Sequence, residues 1–395
     1  MIKTITYTLL SRAGLAISAL LSLIISSRFL GAEVVGQWSL LLLHIAIIHA
    51  IAEVFTGSGL VYFIPRVNTA GLYQKGLLWL LCISLLSVVV IFFTVEMLRP
   101  YIWHLLFLAL LGALHNYHLF LLLGKEQLKL YNTLILVQPL SNLITLLVAV
   151  FVLNWRGIEA SIAALYVSYV LSLALGIKTI MRLVHTVTSS DPPQTTQILA
   201  RGFVNQLGNL AHMLSNRFNY YILALGSISV VGVYSSGTSL IESVWTVSAA
   251  LSPIVLSRVA NSKNASEEAG TSLRLATYSL LLSVLLVLIV LMVPSELFTM
   301  LLGKDFSQVK EIMLYLSPGV LALSFSSVLS HYFSGRGMQR VLLLANASGL
   351  LVTIALSNLL IKNFGVLGAC MTAGLAYGMQ CLVISVVFFR ERDKL

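Results

Sequence analysis

Six polar side chains, Arg201, Asn205, Asn209, His212, Asn216 and Asn219, follow one another at intervals of four, four, three, four and three residues. That spacing matches the 3.6-residue period, so all six share one face of a single helix. Amide, imidazole and guanidinium groups offer hydrogen bonds and charge, which is the chemistry of binding rather than of bond cleavage. The surrounding sequence makes the stripe conspicuous. Of the 395 residues 58% are hydrophobic and 10% charged, against roughly 25% charged in an ordinary soluble domain. The chain therefore reads as an integral membrane protein, and lipid could not solvate that face. Arg217 adds a charge beside its outer end, about seven residues or roughly 10 Å from the membrane surface at 1.5 Å per residue.

Other groups that lipid tolerates poorly lie in the same kind of surroundings. Glu53 and Glu242 each stand near the middle of an apolar run, Glu242 on one face with Ser235, Thr238 and Thr246. His49 and Glu53 form an i, i+4 pair with Thr56 next along the stripe, suited either to carrying a proton or to a structural hydrogen bond. Thr8, Ser11, Ser18, Ser22 and Ser26 lie near one face of the first apolar segment with Arg12 adjoining; close helix packing and cavity lining both fit them. A charge at the bilayer centre costs about 2.5 to 3.5 kcal/mol on the gentler insertion scale. Arg12, Glu53, Arg217 and Glu242 are thus expected to face a wet interior or one another, with snorkelling to the nearby surface the other reading for Arg12 and Arg201.

The elements that position these groups follow from length and hydropathy. A spanning helix needs about 20 mostly apolar residues. The sequence divides into twelve such spans, near 5–27, 37–64, 76–95, 101–123, 130–153, 158–183, 197–224, 228–257, 273–301, 309–333, 341–361 and 365–389. Lys3 precedes the first, but Arg12 interrupts it and it ends in SSRFLG without an A-x-A site, so it reads as a span and not a cleavable signal. With the N-terminus inside, sixteen Lys and Arg residues fall on the cytoplasmic side and six on the other. That bias predicts cytoplasmic termini.

The halves repeat. LGAEVVGQWS at 30–39 is echoed by LGSISVVGVYS at 225–235, IPRVN at 64–68 by LSRVAN at 256–261, LGKEQ at 123–127 by SGRGMQ at 334–339, and RGIEAS by NFGVLGA. Six spans per copy is an even number, so the copies are parallel, a plan associated with transporters whose substrate lies between the halves. The expected organisation is a six-helix bundle over 1–184, a cytoplasmic linker over 185–197 and a second bundle over 198–395. In the repeated phrase Gly31 and Gly226 are expected to cap helices, Gly36 and Gly232 to permit close packing, and Trp38 and Tyr234 to anchor at the outer interface. Glu53 and Glu242 lie 17 and 10 residues after the two Val-Val-Gly sequences. The difference is about two turns, which keeps them on a similar face.

Several chemistries have no residues to support them. There is no P-loop, no zinc motif and no cofactor fingerprint. His104, His115 and His118 lack an acid or Cys to complete a metal set, and Cys82, Cys370 and Cys381 sit in apolar runs and are expected to be small buried hydrophobes. The basic balance belongs to loops flanking spans and indicates no nucleic-acid partner.

The FLGAEVVGQWS turn, the NRFNYYILALGSISVVGVYSS passage and the Gly-Lys or Gly-Arg turns after the fourth and tenth spans resemble the multidrug, oligosaccharidyl-lipid and polysaccharide exporter superfamily. Within it the chain resembles the Wzx-type O-antigen flippases over essentially its whole length. The resemblance implies a MATE-like fold in a bacterial inner membrane. It implies movement of an undecaprenyl-pyrophosphate-linked oligosaccharide, as used in lipopolysaccharide biosynthesis, from the cytoplasmic to the periplasmic leaflet. Membrane lipids, a polysaccharide polymerase and a chain-length regulator would be its partners. Arg12, Arg217 and Arg201 would hold the pyrophosphate, Asn205, Asn209, His212, Asn216 and Asn219 would meet the sugar, and Glu242 would line the same cavity. The family commonly has an acid beside the base of the seventh span, whereas here Asn216 and Asn219 flank Arg217; proton coupling is assigned to His49 with Glu53. A cation-coupled multidrug exporter is the alternative of like architecture. A polysaccharide polymerase or ligase would need a large outer loop that the sequence lacks.

Overall fold

The computed structural model describes residues 2–394 except 62, 65–68, 186–194, 246–247, 249–250, 253–254, 256–258 and 260–264, with the side chains of 2–13, 58–59, 201 and 265–266 also outside the description. The described residues are helical throughout their regular structure, as an apolar chain with few polar groups requires, because a helix satisfies its own backbone in lipid. The helices are α1 (Ile2–Thr56), α2 (Ser58–Val61), α3 (Thr69–Thr94), α4 (Ile102–Gly124), α5 (Leu128–Phe151), α6 (Glu159–His185) and α7 (Thr195–Arg217). They continue as α8 (Asn219–Ala224), α9 (Ile228–Glu242), α10 (Ala265–Met292), α11 (Ser295–Leu302), α12 (Val309–Gly335), α13 (Gln339–Phe364) and α14 (Val366–Arg392).

Nine helices among the described residues are long and apolar enough to cross a membrane. The first of them bends at Gly31, where φ 85° and ψ 169° interrupt α1, so it accounts for two spans. Of the other two expected spans, the seventh falls on α7 with α8, whose polar stripe removes it from the strongly apolar set, and the eighth has α9 as its first part, with much of the remainder of 228–257 outside the described residues.

The chain forms two compact units, one of residues 1–30 and 37–206, the other of residues 31–36 and 207–395. The first half of α7 thus belongs to unit 1 and its second half to unit 2. Unit 1 is packed around Phe55, Leu72, Tyr73, Tyr117, Leu121 and Ile180, with Tyr73 and Tyr117 stacked at 5.6 Å. Unit 2 is packed around Val328, Leu329, Tyr332, Phe333, Ala345 and Phe388, with Tyr332 edge-on to Phe388 at 5.1 Å.

The internal repeat is visible in the backbone. At the end of α4, Glu126 takes φ 55°, its N–H donates to the Leu123 carbonyl at 3.1 Å and that of Gln127 to Leu122 at 2.8 Å. At the end of α12, Gly337 takes φ 73°, donating to Ser334 at 3.1 Å, while Met338 donates to Phe333 at 2.8 Å. Both are Schellman caps, closed at corresponding places by the residues of LGKEQ and SGRGMQ.

The Val-Val-Gly phrases themselves meet inside unit 2. A Cβ on Gly36 would strike the Ile228 carbonyl, and one on Gly232 the carbonyl of Ala32. Only glycine allows that approach. Three expectations need correction. Gly226 does not adopt a left-handed conformation; only Gly31 of that pair has positive φ. Tyr234 is fully buried rather than interfacial, because its hydroxyl finds the Ala369 carbonyl at 3.4 Å. Cys82 is exposed on α3, whereas Cys370 is buried.

Candidate functional site

Two polar clusters occur, one in each unit. In unit 2, α7 ends at Arg217 and α9 ends at Glu242, which gives way to the 3-10 turn Ser243–Trp245. Arg217 Nη2 donates to Glu242 Oε2 at 2.6 Å. Its Nη1 donates to the Tyr220 hydroxyl at 2.9 Å, with the guanidinium 5.4 Å from that ring. Tyr377, from α14, donates to Glu242 Oε1 at 3.0 Å. Each carboxylate oxygen therefore has its own donor. The Arg217 side chain is 25% exposed and that of Glu242 13%, so the pair is desolvated without being sealed. A guanidinium has five N–H donors, and the described contacts use two of them.

The upper half of the α7 stripe is packed against α13 and α14. His212 Nδ1 donates to Gln380 Oε1 at 3.3 Å, and Asn216 Nδ2 donates to His212 Nε2 at 3.3 Å. The pattern fits a neutral imidazole carrying its proton on Nδ1. Gln380 donates in turn to Ser215 Oγ at 3.1 Å, and Ser215 pairs with Thr353 at 3.3 Å. Asn219 donates to the Ala369 carbonyl at 3.0 Å and accepts from Ser357 at 2.8 Å, tying α8 to α13 and α14. Asn216 differs from its neighbours. Its Oδ1 is buried without a hydrogen-bond partner, an acceptor that costs free energy until a donor reaches it.

The lower half of the stripe is divided. Asn209 is exposed in unit 2, while Asn205 is half-buried in unit 1. The side chains of Arg201 and Arg12 lie outside the described residues, as do Arg66 and Arg258.

In unit 1 the centre is Glu53. Asn116 Nδ2, from α4, donates to its Oε1 at 3.0 Å, and Gln206 Nε2, from α7, to its Oε2 at 3.4 Å. Close approach of α7 makes the second bond: a Cβ on Gly202 would strike the Val54 carbonyl, and one on Gly57 would come within 3.0 Å of Gln206 Nε2. His49 turns to a different partner, donating from Nε2 to the Ala109 carbonyl at 3.1 Å. His115 pairs with Ser172 at 3.2 Å and His118 with Tyr73 at 2.9 Å. Among the described residues no group of three or more His, Cys, Asp or Glu could hold a metal ion. Ser18 and Ser26 of the first span are buried, and a Cβ on Gly14 would come within 2.5 Å of Leu136 Cδ1 on α5, a packed face.

Arg217 and Glu242, singled out separately in the sequence, are thus one ion pair, whereas His49 and Glu53 are bound to different groups. Tyr377, Gln380, Asn116 and Gln206 were not foreseen. Gln380 could have been found as a lone amide in an apolar span, three residues after Tyr377 and so on its face. Gln206 lies off the 3.6-residue stripe, and only the tertiary contact reveals it.

No family model and no curated protein matches the sequence. Among solved structures, the chain is similar to a multidrug resistance MATE family transporter of the MOP superfamily in an inward-facing conformation. The TM-score is 0.76 at 15% identity, covering 96% of this chain and 95% of that one. It is similar to the lipid II flippase MurJ, inward closed, with TM-score 0.73 at 14% identity over 98% of this chain and 87% of that one. A MOP superfamily transporter from Pyrococcus furiosus, described by the reverse polarity of its binding pocket, matches with TM-score 0.61 at 16% identity over 98% and 93%. At such identities the likeness shows the fold: an all-α, MATE-like membrane protein.

Proposed function

We propose that the protein is a flippase carrying an undecaprenyl-pyrophosphate-linked oligosaccharide, an O-antigen or similar repeat unit, from the cytoplasmic to the periplasmic leaflet of a bacterial inner membrane. Both termini would lie in the cytoplasm. The observation that carries the reading is Arg217: a guanidinium held by Glu242 and Tyr220 inside a membrane-spanning unit and still 25% exposed. Guanidinium is the side chain best matched to phosphate oxygens. The unpartnered Asn216 acceptor beside it suits a sugar hydroxyl. Asn219, with its amide engaged on both sides, would hold the wall of the site rather than touch cargo. Arg12 and Arg201 would supply further positive charge, with Asn205, Asn209 and His212 as polar lining. The lipid tail would stay in the bilayer, and one six-helix half would rock against the other. The fold is compatible with such a cargo, since a neighbour is a lipid II flippase.

A strain whose surface polysaccharide depends on this protein tests the reading. Arg217→Ala, produced at native abundance, is expected to abolish export; normal export would remove Arg217 from the mechanism.

A cation-coupled multidrug exporter is the second reading. It is favoured by Glu53, a carboxylate that the described residues supply with two amides and no cation, and by the MATE neighbour. In the flippase reading Glu53 with His49 would contribute to coupling instead.

A further inference from the structure

Glu242 occupies the position that an anionic headgroup would need. Its Oε2 holds Arg217 Nη2 at 2.6 Å, so a phosphate approaching the same guanidinium meets a carboxylate already there. Two anions at one cation in a desolvated site repel. Displacing the carboxylate as a charge would leave it buried and uncompensated, at the end of α9, where the carbonyl end of the helix disfavours negative charge.

Resting on the reading of a diphosphate cargo, we propose that Glu242 is a proton site that exchanges with the cargo at Arg217: the headgroup takes the guanidinium as the carboxylate takes up one proton. The exchange balances without covalent chemistry. A proton from water adds to Glu242 Oε2, the ion pair to Arg217 opens, and the guanidinium, still charged, donates to the phosphate oxygens instead; on release the proton leaves and the pair closes. Tyr377 makes the two oxygens unequal. It donates to Oε1 at 3.0 Å, and a protonated carboxyl keeps that bond through its carbonyl oxygen while Oε2 becomes the hydroxyl.

The groups facing Glu242 are Arg217 and His212 from α7, Tyr220 from α8, Tyr377 from α14 and Tyr234 on its own helix. From α12, Ile312 presents an apolar side chain to Gly237. Among the described residues no other acid forms an ion pair with Arg217. His212 has both ring nitrogens engaged, with Gln380 and Asn216.

The test is calorimetric titration of the purified full-length protein in detergent with farnesyl diphosphate, at one pH and salt concentration in two buffers of different ionisation enthalpy. The wild-type protein is expected to take up about one proton per diphosphate bound. Glu242→Gln is expected to take up none and to bind about tenfold more tightly, the equivalent of about 1.4 kcal/mol, because the internal competitor is gone. Binding without proton uptake by the wild type overturns the exchange and leaves the cargo reading standing. So does uptake that persists in Glu242→Gln and vanishes in Glu53→Gln. Failure of wild type and Glu242→Gln alike to bind the diphosphate overturns both. The wild-type proton count does not depend on the folding of any variant.

Discussion

Glu53 and Glu242 stand in corresponding spans of the two repeats, each in the last turn of a helix that then breaks. α1 ends at Thr56, with the Gly57 N–H donating back to the Glu53 carbonyl at 2.9 Å, and α9 ends at Glu242 itself. Their partners differ in kind. Two amides hold Glu53, whereas an arginine and a tyrosine hold Glu242. Amides satisfy the lone pairs of a carboxylate and leave its charge, while a guanidinium neutralises it. The two repeats therefore each place a carboxyl group beside a helix break, about two turns apart in register, with different electrostatics around it. Unit 2 presents a cation paired with its acid, and unit 1 presents an acid held by amides.

The sharpest way to break this contrast is to remove the cation. Arg217→Ala strands Glu242 and is expected to cost about 3 to 5 kcal/mol of stability, read as a fall in the thermal unfolding midpoint in detergent. Adding Glu242→Ala should recover most of that loss without restoring export. Recovery of export by the double variant would make the pair structural.

Next in size is the close approach of backbones that each unit uses beside its cluster. Gly202→Ala in unit 1 and Gly232→Ala in unit 2 each force a Cβ into a carbonyl and should each cost about 1 to 3 kcal/mol. Gly71→Ala and Gly270→Ala, which meet nothing within 4 Å, should instead stabilise by about 0.5 to 1 kcal/mol.

The Schellman turns give a smaller contrast. Glu126 holds a left-handed conformation that Gly337 adopts freely. Glu126→Gly should stabilise by about 1 kcal/mol, and Gly337→Ala should destabilise by about as much. Smallest of all, Glu53→Gln should shift stability by less than about 1 kcal/mol, because the new amide oxygen accepts from one partner while the other, Asn116 or Gln206, can turn its own carbonyl to the new NH2. A loss as large as that from Arg217→Ala would mean that unit 1 also holds a charge pair.

The spans and the repeat were legible because both are properties of local sequence. Apolar runs of the right length mark helices, and residue patterns such as LGKEQ and SGRGMQ encode a cap whose hydrogen bonds reach back only five residues. The α7 stripe was legible as a stripe, since periodicity is local, but not as two halves in different units, which is a property of packing. The Arg217–Glu242 pair was legible as two charges that should avoid lipid and not as a bond, because the sequence separation of 25 includes a helix break and a turn. Tyr234 was misplaced for a related reason. An aromatic after a Val-Val-Gly turn looks interfacial until the Ala369 carbonyl, 135 residues away, supplies its acceptor.

The measurement that tests the account most directly is translocation in proteoliposomes. The purified protein would be reconstituted with a fluorescent undecaprenyl-diphosphate-linked oligosaccharide, and exposure of the sugar to a membrane-impermeant reagent followed over time. Wild-type protein is predicted to expose the lipid-linked sugar faster than protein-free vesicles, and Arg217→Ala to match those vesicles. Wild-type vesicles that leave the lipid-linked sugar in place while accumulating a cationic dye would contradict the account and establish the exporter reading.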